Sequence, residues 1–401
     1  MAVSKSVSKT IADPQPRARL GLALVGILLA GANLRAGITT VGPLLDQVRG
    51  DLHLSSTTAS ALISLPLLCF AVFSPLAPGF ARRLGLEHAI TVALGILAIG
   101  IVARSVPWLP ALWIGTALLG LAVALINVLL PAVVKRDFPD SAGRVTGVYS
   151  VAQSAFAALG AGLAVPVAGT ADHGWRIAFG MWAGLALIGL AFFLPRLRSD
   201  TGAPTAVPAT PHRLPWGSPL AWMVTLFMGL QSTIYYSVVT WWPSIEESHG
   251  VSTGTAGAHQ SVLQIGSIVG NIAAGAALQR WSRDQRGLLT VLVVATGLGI
   301  GGELAAPGAG LLWTTLLGFG GGGLIVLALA LFGLRTRGHG EAAALSGMAQ
   351  SCGYLLAAAG PLVVGAVHDR TSGWTAPLVV LLVILVGELI AGLGASRHRY
   401  V

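Results

Sequence analysis

The sequence predicts an all-helical integral membrane protein with twelve transmembrane helices in two pseudo-symmetric six-helix halves. Three observations support this fold class: the composition, a series of long apolar runs, and sequence matches between the two halves of the chain. Of 401 residues, 54% are hydrophobic and only 10% are charged. A soluble globular domain carries about 25% charged residues, so this chain has too few polar side chains to cover a water-facing surface.

Twelve apolar runs are long enough to span a bilayer, which takes about 20 residues of helix. They cover approximately 20–45, 56–80, 88–105, 109–134, 144–169, 175–195, 219–243, 254–279, 287–303, 311–334, 342–367 and 374–396. The Pro-, Ala- and Thr-rich segment 196–218 separates six runs from six and is typical of a linker. We therefore expect a tail at 1–19, halves at 20–195 and 219–396, and a tail at 397–401.

Short matches recur between the halves at a nearly constant spacing. The shift is 200 for Pro43 and Gly50 against Pro243 and Gly250, 197 for 152–154 against 349–351, and 199 for 174–175 against 373–374. Such a shift over six runs indicates a duplicated six-helix unit. It also argues against a cleaved signal peptide, because the first run is long and has a counterpart in the second half.

The net charge of +9 reflects topology. Nineteen basic residues fall in tails and loops on the linker side, and four fall in segments on the other side: Arg49, Arg104, Arg176 and Arg370. This bias predicts that both termini and the linker are cytoplasmic in an inner-membrane protein. No basic face is formed, so a nucleic-acid partner is not expected. We expect a monomer in the lipid bilayer.

The loop between the second and third runs carries Gly79, Arg82, Arg83 and Gly85. With the two parallel halves, it resembles the loop signature of the major facilitator superfamily, whose substrate site lies midway between the halves. The resemblance implies a gating role for this loop. The acidic residue usual before the basic pair is absent, because Ala81 stands there.

A more specific resemblance runs through residues 33–45, NLRAGITTVGPLL, and residues 75–87, PLAPGFARRLGLE. Both segments are similar to the cyanate and nitroimidazole permease family (CynX/NimT), and the similarity extends along essentially the whole chain. It implies a secondary transporter that works by alternating access on a small anion or an azole. Asn33 and Arg35 belong to the first segment and are predicted to bind the substrate.

Arg35 is the principal candidate ligand, because an ionisable residue inside a span is costly and by default functional. Gly31, Thr39 and Gly42 share its helix face and leave room beside the guanidinium. A structural arginine that snorkels or binds a carbonyl is the alternative. We expect no carboxylate partner, since Glu388 lies in the twelfth span with an expected structural role and Asp46, Glu246 and Glu247 are expected at a solvated outer mouth.

Polar and aromatic stripes on other spans supply the remaining candidates. They are Gln231, Tyr235 and Tyr236 on the seventh span, His259, Gln260 and Gln264 on the eighth, the repeat-related pair Gln153 and Gln350, and Tyr354 beside Gln350. Membrane-interface aromatics and helix–helix packing are the alternatives. His259 is the candidate for proton coupling, because the reference pKa of histidine, about 6.5, is close to physiological pH. A neutral histidine that donates one hydrogen bond to a neighbour is the alternative for this residue. Trp241 and Trp242 are assigned to the membrane interface.

Other chemistries lack support. The G-x-G-x-x-G match at Gly318–Gly323 lies inside an apolar run without a preceding strand, so helix packing explains it better than dinucleotide binding. Cys69 and Cys352 are isolated in apolar runs. No ATP-binding loop, metal-ligand spacing or catalytic triad context is present, so we expect no cofactor and no ATPase subunit. A membrane-embedded enzyme, channel or receptor is the alternative to a carrier.

Overall fold

The structure is a computed structural model that describes residues 14–198, 214–280 and 284–401. Every regular element in these ranges is helical, which confirms the predicted fold class. Most of the predicted N-terminal tail and linker lies outside the described residues.

Within residues 14–198, the first half contains ten α-helices. They are α1 (Pro14–Ala32), α2 (Ala36–Thr39), α3 (Leu45–Leu52), α4 (Ser56–Phe73), α5 (Ala77–Leu84), α6 (Leu86–Ser105), α7 (Leu109–Asp137), α8 (Ala142–Ala168), α9 (Trp175–Gly180) and α10 (Trp182–Phe193). Short 3-10 segments follow α2, α4, α7 and α10 at Gly42–Leu44, Ser74–Leu76, Pro139–Ser141 and Leu194–Arg198.

The second half contains α11 (Pro219–Ser248), α12 (Thr253–Arg280), α13 (Arg286–Ala305), α14 (Gly310–Leu334), α15 (His339–Thr371) and α16 (Thr375–Ala395), with a 3-10 turn at Pro307–Ala309 before α14. Eleven segments of the described chain are long and apolar enough to cross a membrane. The seventh predicted span is α11, whose 30 residues would cover about 45 Å. Polar residues in the middle of α11 lower its mean hydropathy, so α11 is not among these eleven segments.

The first span is broken, which the sequence did not predict. A continuous helix was expected over 20–45, but α1 ends at Ala32 and α2 begins at Ala36. Asn33 donates to the Leu29 and Leu185 carbonyls at 2.8 and 3.2 Å, and Arg104 donates to the Gly37 carbonyl at 2.8 Å. A backbone group freed inside a membrane must find a partner in the protein. These side chains therefore stabilise the interruption.

Arg104 was assigned to an outer loop, and that assignment was wrong. It lies in α6 with 1% of its surface exposed, and its guanidinium stacks on Phe179 at 4.6 Å from the ring centroid. The need for a donor at the broken first span accounts for this burial.

The two halves meet through α4 against α15 and α8 against α12. Small residues allow close approach: Ser261 donates to the Ala158 carbonyl at 2.9 Å, and a Cβ at Gly162 would overlap the Ser261 hydroxyl. We call the end of the bundle at Leu194–Arg198 the linker end, and the opposite end the distal end. The side-chain hydrogen bonds that join the halves within the described residues lie near the bundle centre or towards the distal end.

The glycines of Gly318–Gly323 serve helix packing. Cβ atoms at Gly318 and Gly322 would overlap the backbone of α12 at Leu263 and Ser267. This segment lies inside α14, which excludes the strand–turn–helix context of a dinucleotide fingerprint.

Candidate functional site

Arg35 lies at the break in the first span and contacts the other half of the protein. Its Nη1 atom donates to the Tyr235 hydroxyl at 2.8 Å, and the guanidinium carbon lies 5.3 Å from the Tyr235 ring centroid. The Tyr235 hydroxyl in turn donates to Oε1 of Gln264 at 3.0 Å. Three predicted site residues on α11, α12 and the broken span therefore form one hydrogen-bonded chain.

Aromatic rings surround this chain. The Tyr236 ring stands at 83° to the Tyr235 ring with centroids 5.3 Å apart, and Tyr354 packs edge-on against Phe70 at 5.5 Å. Tyr235, Tyr236 and Tyr354 lie close enough to Arg35 to affect its electrostatics, and no salt bridge joins Arg35 to a carboxylate of the described chain. The site thus combines one cation with aromatic walls, and it lacks a fixed counter-ion among the described residues.

The backbone that carries Arg35 is held against α8. The Thr39 hydroxyl donates to the Ala157 carbonyl at 2.8 Å, and a Cβ at Gly160 would overlap the Ala36 carbonyl. Gly31 lies against Tyr149, where a Cβ would come within 3.2 Å of the ring. The small residues predicted around Arg35 therefore mainly permit helix contact, which positions the guanidinium at the junction of the halves.

The polar stripe on α12 leaves several groups without partners. Gln260 donates through Nε2 to the Val239 carbonyl at 2.9 Å, but its Oε1 is buried and unpartnered. Nε2 of Gln264 and Oδ1 of Asn271 are also unpartnered. Buried amides normally satisfy their hydrogen-bonding groups, so this stripe has capacity for water or a polar ligand.

Four other predicted residues lie outside the Arg35 chain. Asn33 uses its amide to bind backbone carbonyls at the broken span. Gln350 donates to Ser346 at 2.7 Å, and Gln153 is half-buried on α8 without a hydrogen bond in the described part of the chain. Gln231 is 3% exposed and lines a separate cavity inside the second half.

His259 has a carboxylate partner that the sequence did not predict. Its Nδ1 lies 2.9 Å from Oε1 of Glu246, which also accepts from the Thr314 hydroxyl at 3.2 Å. Glu246 was expected to be solvated, but it is 0% exposed. The helical repeat explains the error, because Glu246 continues the inward face of α11 that carries Tyr235 and Trp242.

The two tryptophans near the end of α11 are buried, which corrects their assignment to the membrane interface. Trp241 donates to the Pro361 carbonyl at 3.0 Å and Trp242 to the Thr314 hydroxyl at 2.8 Å. A second histidine–carboxylate pair lies nearby, where Nδ1 of His249 is 2.9 Å from Oε1 of the buried Glu303. These contacts link α11, α13, α14 and α15 near the distal end.

The predicted gating loop spans α5 and the turn after it. Arg82 and Arg83 are exposed, and Gly85 has φ of +85°, a conformation that favours glycine. The carboxylate at this end of the first half is Glu87, which accepts from Arg196 at 2.7 Å and also pairs with Arg136. Asp137 pairs with the same two arginines. Glu87 and Asp137 therefore form one ion-pair cluster with Arg136 and Arg196 at this end.

A helical membrane bundle in two halves, with a polar and aromatic site between them, defines a membrane carrier. The family comparison agrees, because the Major Facilitator Superfamily model matches residues 27–361. The chain belongs to this family and is a small-solute transporter.

Three relatives match along nearly the whole chain. An uncharacterized transporter of Bacillus subtilis, YycB, is 43% identical over 94% of both chains. The 2-nitroimidazole transporter of Escherichia coli is 41% identical over 94% of this chain and 95% of its own, and the cyanate transport protein CynX is 25% identical over 94% and 98%. These matches support the predicted resemblance to the CynX/NimT family.

A solved structure shows the same fold. The crystal structure of the D-xylose-proton symporter has a TM-score of 0.74 at 16% identity, covering 96% of this chain and 98% of that chain. At this identity, the similarity concerns the fold alone.

Proposed function

We propose that this transporter carries a small planar solute, either an azole or a compact anion, by alternating access, with Arg35 as its principal ligand. The observation that carries the proposal is the Arg35–Tyr235 hydrogen bond between the two halves. The Tyr235 hydroxyl is neutral, so a solute can replace it on the guanidinium without breaking an ion pair. The relatives named for 2-nitroimidazole and cyanate transport support these two solute classes.

The physical case begins with the cost of an unpaired guanidinium in the membrane. Water in a cavity between the halves hydrates Arg35 when the site is empty. A bound anion then replaces part of this water with charge-assisted hydrogen bonds, which are bidentate for a planar acceptor. A nitro group or a ring nitrogen of an azole accepts from the same fork.

The rings near Arg35 favour a planar solute. Tyr236 and Tyr354 supply flat apolar surface, and stacked or edge-on aromatic contacts stabilise by about 0.5–1.5 kcal/mol beyond burial. The unpartnered amide groups of Gln260 and Gln264 then donate to or accept from the solute. Gln153 and Gln350 take secondary roles at the edge of the site, and Gln231 binds water within the second half.

Alternating access requires that contacts at one end of the bundle break while others form. At the distal end, Asp369 accepts from the backbone N–H groups of Ser56 and Thr57 at 3.1 and 2.9 Å, which ties α15 to the first turn of α4.

We assign the linker end to the cytoplasm of an inner-membrane protein, with both termini on that side, from the distribution of basic residues. The loop of Gly79, Arg82, Arg83 and Gly85 acts in gating there, and a monomer suffices.

We also propose that His259, with its partner Glu246, takes part in proton coupling as a regulatory site at the distal end. A change in the charge of this pair alters the electrostatics of the distal end of α11 and α12. The pair lies beside the N-terminal half, since α12 packs against the segment Gly42–Leu44.

Transport into proteoliposomes tests the proposal. We expect saturable uptake and counterflow of labelled 2-nitroimidazole or cyanate, with a channel excluded by counterflow. Tyr235→Phe removes the hydroxyl that occupies Arg35, so it should change the affinity. Asp140→Asn, at an exposed residue of the turn after α7, is the matched control and should not. Absence of uptake for small anions and azoles alike would refute the solute assignment. Measuring the affinity at pH values below and above the solute's own pKa distinguishes binding of an anion from binding of a neutral azole.

A further inference from the structure

A cavity inside the second half contains a carboxyl group without any partner. The cavity has a volume of about 20 Å³, which is room for about one water molecule, and is lined by Gln231, Ile234, Tyr235, Val238, Leu263, Thr296, Leu317, Gly321, Leu324 and Glu388. Glu388 is 0% exposed, and neither of its carboxyl oxygens has a hydrogen-bond partner. A buried carboxyl in this state is expensive, which distinguishes it from an ordinary structural acid and calls for a functional explanation.

The groups around Glu388 offer no fixed counter-charge. Among the residues that line the cavity, Tyr235 is the one other titratable side chain. Helix α16 carries no second charged residue and packs against α11, α13 and α15. On α13, Arg286 and Glu303 stand ten and seven residues from Thr296, or about 15 and 10 Å along the helix.

The other titratable residues on these neighbouring helices are already engaged or distant. On α11, Tyr236 faces Arg35 and Glu246 pairs with His259, while Glu247 lies one residue further towards the distal end. On α15, Tyr354 faces Arg35, and the charged residues near its ends are Glu341, His368, Asp369 and Arg370. Glu388 therefore exchanges a proton with water in the cavity more readily than with a protein side chain.

Tyr235 connects this cavity with the solute site. Its side chain lines the cavity, and its hydroxyl contacts both Arg35 and Gln264. Glu388 and Arg35 thus lie on two sides of one tyrosine and do not touch each other. A solute that displaces the tyrosine hydroxyl from Arg35 also changes the wall of the cavity around Glu388.

We propose that Glu388 binds the proton that crosses the membrane together with an anionic solute, an inference that rests on the proposed role of Arg35. In the loaded carrier, the anion neutralises the Arg35 cation and Glu388 is a neutral acid. When the anion leaves, the O–H bond of Glu388 breaks, the proton passes to water, and the resulting carboxylate balances Arg35. The summed charge of Arg35, Glu388 and the solute is zero in both forms, so the transition moves no net charge through the membrane.

Proton-driven uptake tests this stoichiometry. In proteoliposomes with labelled cyanate, one proton per anion allows a pH difference of one unit to support accumulation of about tenfold at most. Glu388→Gln should retain counterflow and lose accumulation, giving a ratio of one. Glu388→Asp should accumulate with a shifted pH midpoint, and Asp140→Asn should behave as wild type. Accumulation by Glu388→Gln equal to that of the wild type would overturn the proposal.

An infrared measurement separates this inference from the solute assignment, because it needs no solute. The carboxylic-acid C=O stretch should titrate in the wild-type protein, and Glu388→Gln should lack that difference band. Wild-type affinity in Arg35→Ala would refute the proposed role of Arg35 in binding the solute. The infrared band would still show, independently, whether Glu388 binds a proton. Where Glu388→Gln does not fold, Glu388→Asp serves instead, with a displaced band expected. Difference spectra identical to those of the wild type would refute the site.

Discussion

The Nη1 atom of Arg35 donates a 2.8 Å hydrogen bond to the hydroxyl of Tyr235, exactly 200 positions further along the chain. The same shift relates Pro43 to Pro243, so the two residues occupy equivalent places in the repeated halves. Residues related by a two-fold axis touch each other only near that axis. The contact therefore lies close to the axis that relates the halves, with a cation from one half and a phenol from the other.

Arg35→Lys should weaken solute binding by about 1–3 kcal/mol, because lysine keeps the charge but loses the planar fork. Arg35→Ala should lose more, and substitution of Gln153 or Gln350 should cost less. Binding to purified protein, measured by calorimetry, checks the order. Arg144→Ala, at an exposed residue of α8, is the control. Wild-type affinity in folded Arg35→Ala would return Arg35 to a structural role.

His259→Gln should abolish the pH dependence of the counterflow rate while exchange itself continues. Glu246→Gln should have the same effect, since the two side chains share one hydrogen bond of 2.9 Å. The initial rate of counterflow as a function of pH is the measurement. His398→Gln, near the C-terminus, should leave the profile intact. An unchanged profile in His259→Gln would eliminate this pair as the source of the pH dependence of counterflow.

The linker at 196–218 should be cut by protease in inverted membrane vesicles and protected in intact cells. The nineteen-to-four distribution of basic residues is the reason for this expectation, and the burial of Arg104 makes the distribution more uneven. Fragment sizes on a gel, detected through tags at each terminus, provide the readout. Cleavage in intact right-side-out cells would contradict the assigned orientation.

Gly42→Ala should disturb the distal contact between the halves. A Cβ at residue 42 would overlap the Val239 carbonyl oxygen, which is backbone and cannot turn aside. Overpacking of this kind typically costs about 1–3 kcal/mol, so the unfolding midpoint in detergent should fall. Gly50→Ala is the matched control, because nothing lies within 4 Å of a Cβ there. Equal midpoints for the two variants would show that the halves are not held together at this point.

The class, the helical architecture and the family could be predicted from the sequence, because apolar length and repeated motifs are local properties of the chain. The sequence analysis placed Arg35, Tyr235 and Gln264 in one site but did not predict that they would be hydrogen-bonded to each other. Which of these side chains contacts which depends on how the two halves pack together. The spacing of residues along one helix carries no information about that packing.

The errors have a common physical origin. Glu246, Trp241 and Trp242 were placed at the membrane surface because they lie near the end of an apolar run. The structure continues α11 to Ser248 and buries all three. The break at Asn33–Arg35 was missed for a related reason: its stabilising partners, Leu185 and Arg104, come from helices far along the chain.

The interrupted first span has a consequence for how the protein moves. An unbroken helix transmits a tilt rigidly along its axis, whereas two helical pieces joined by a turn can tilt separately. Arg35 stands at that joint, with α1 on one side and the segment that contacts α11 on the other. The guanidinium thus lies close to the point about which the two helical pieces tilt. When the ends of the bundle move, Arg35 and a solute bound to it are displaced least, while access changes from one side of the membrane to the other.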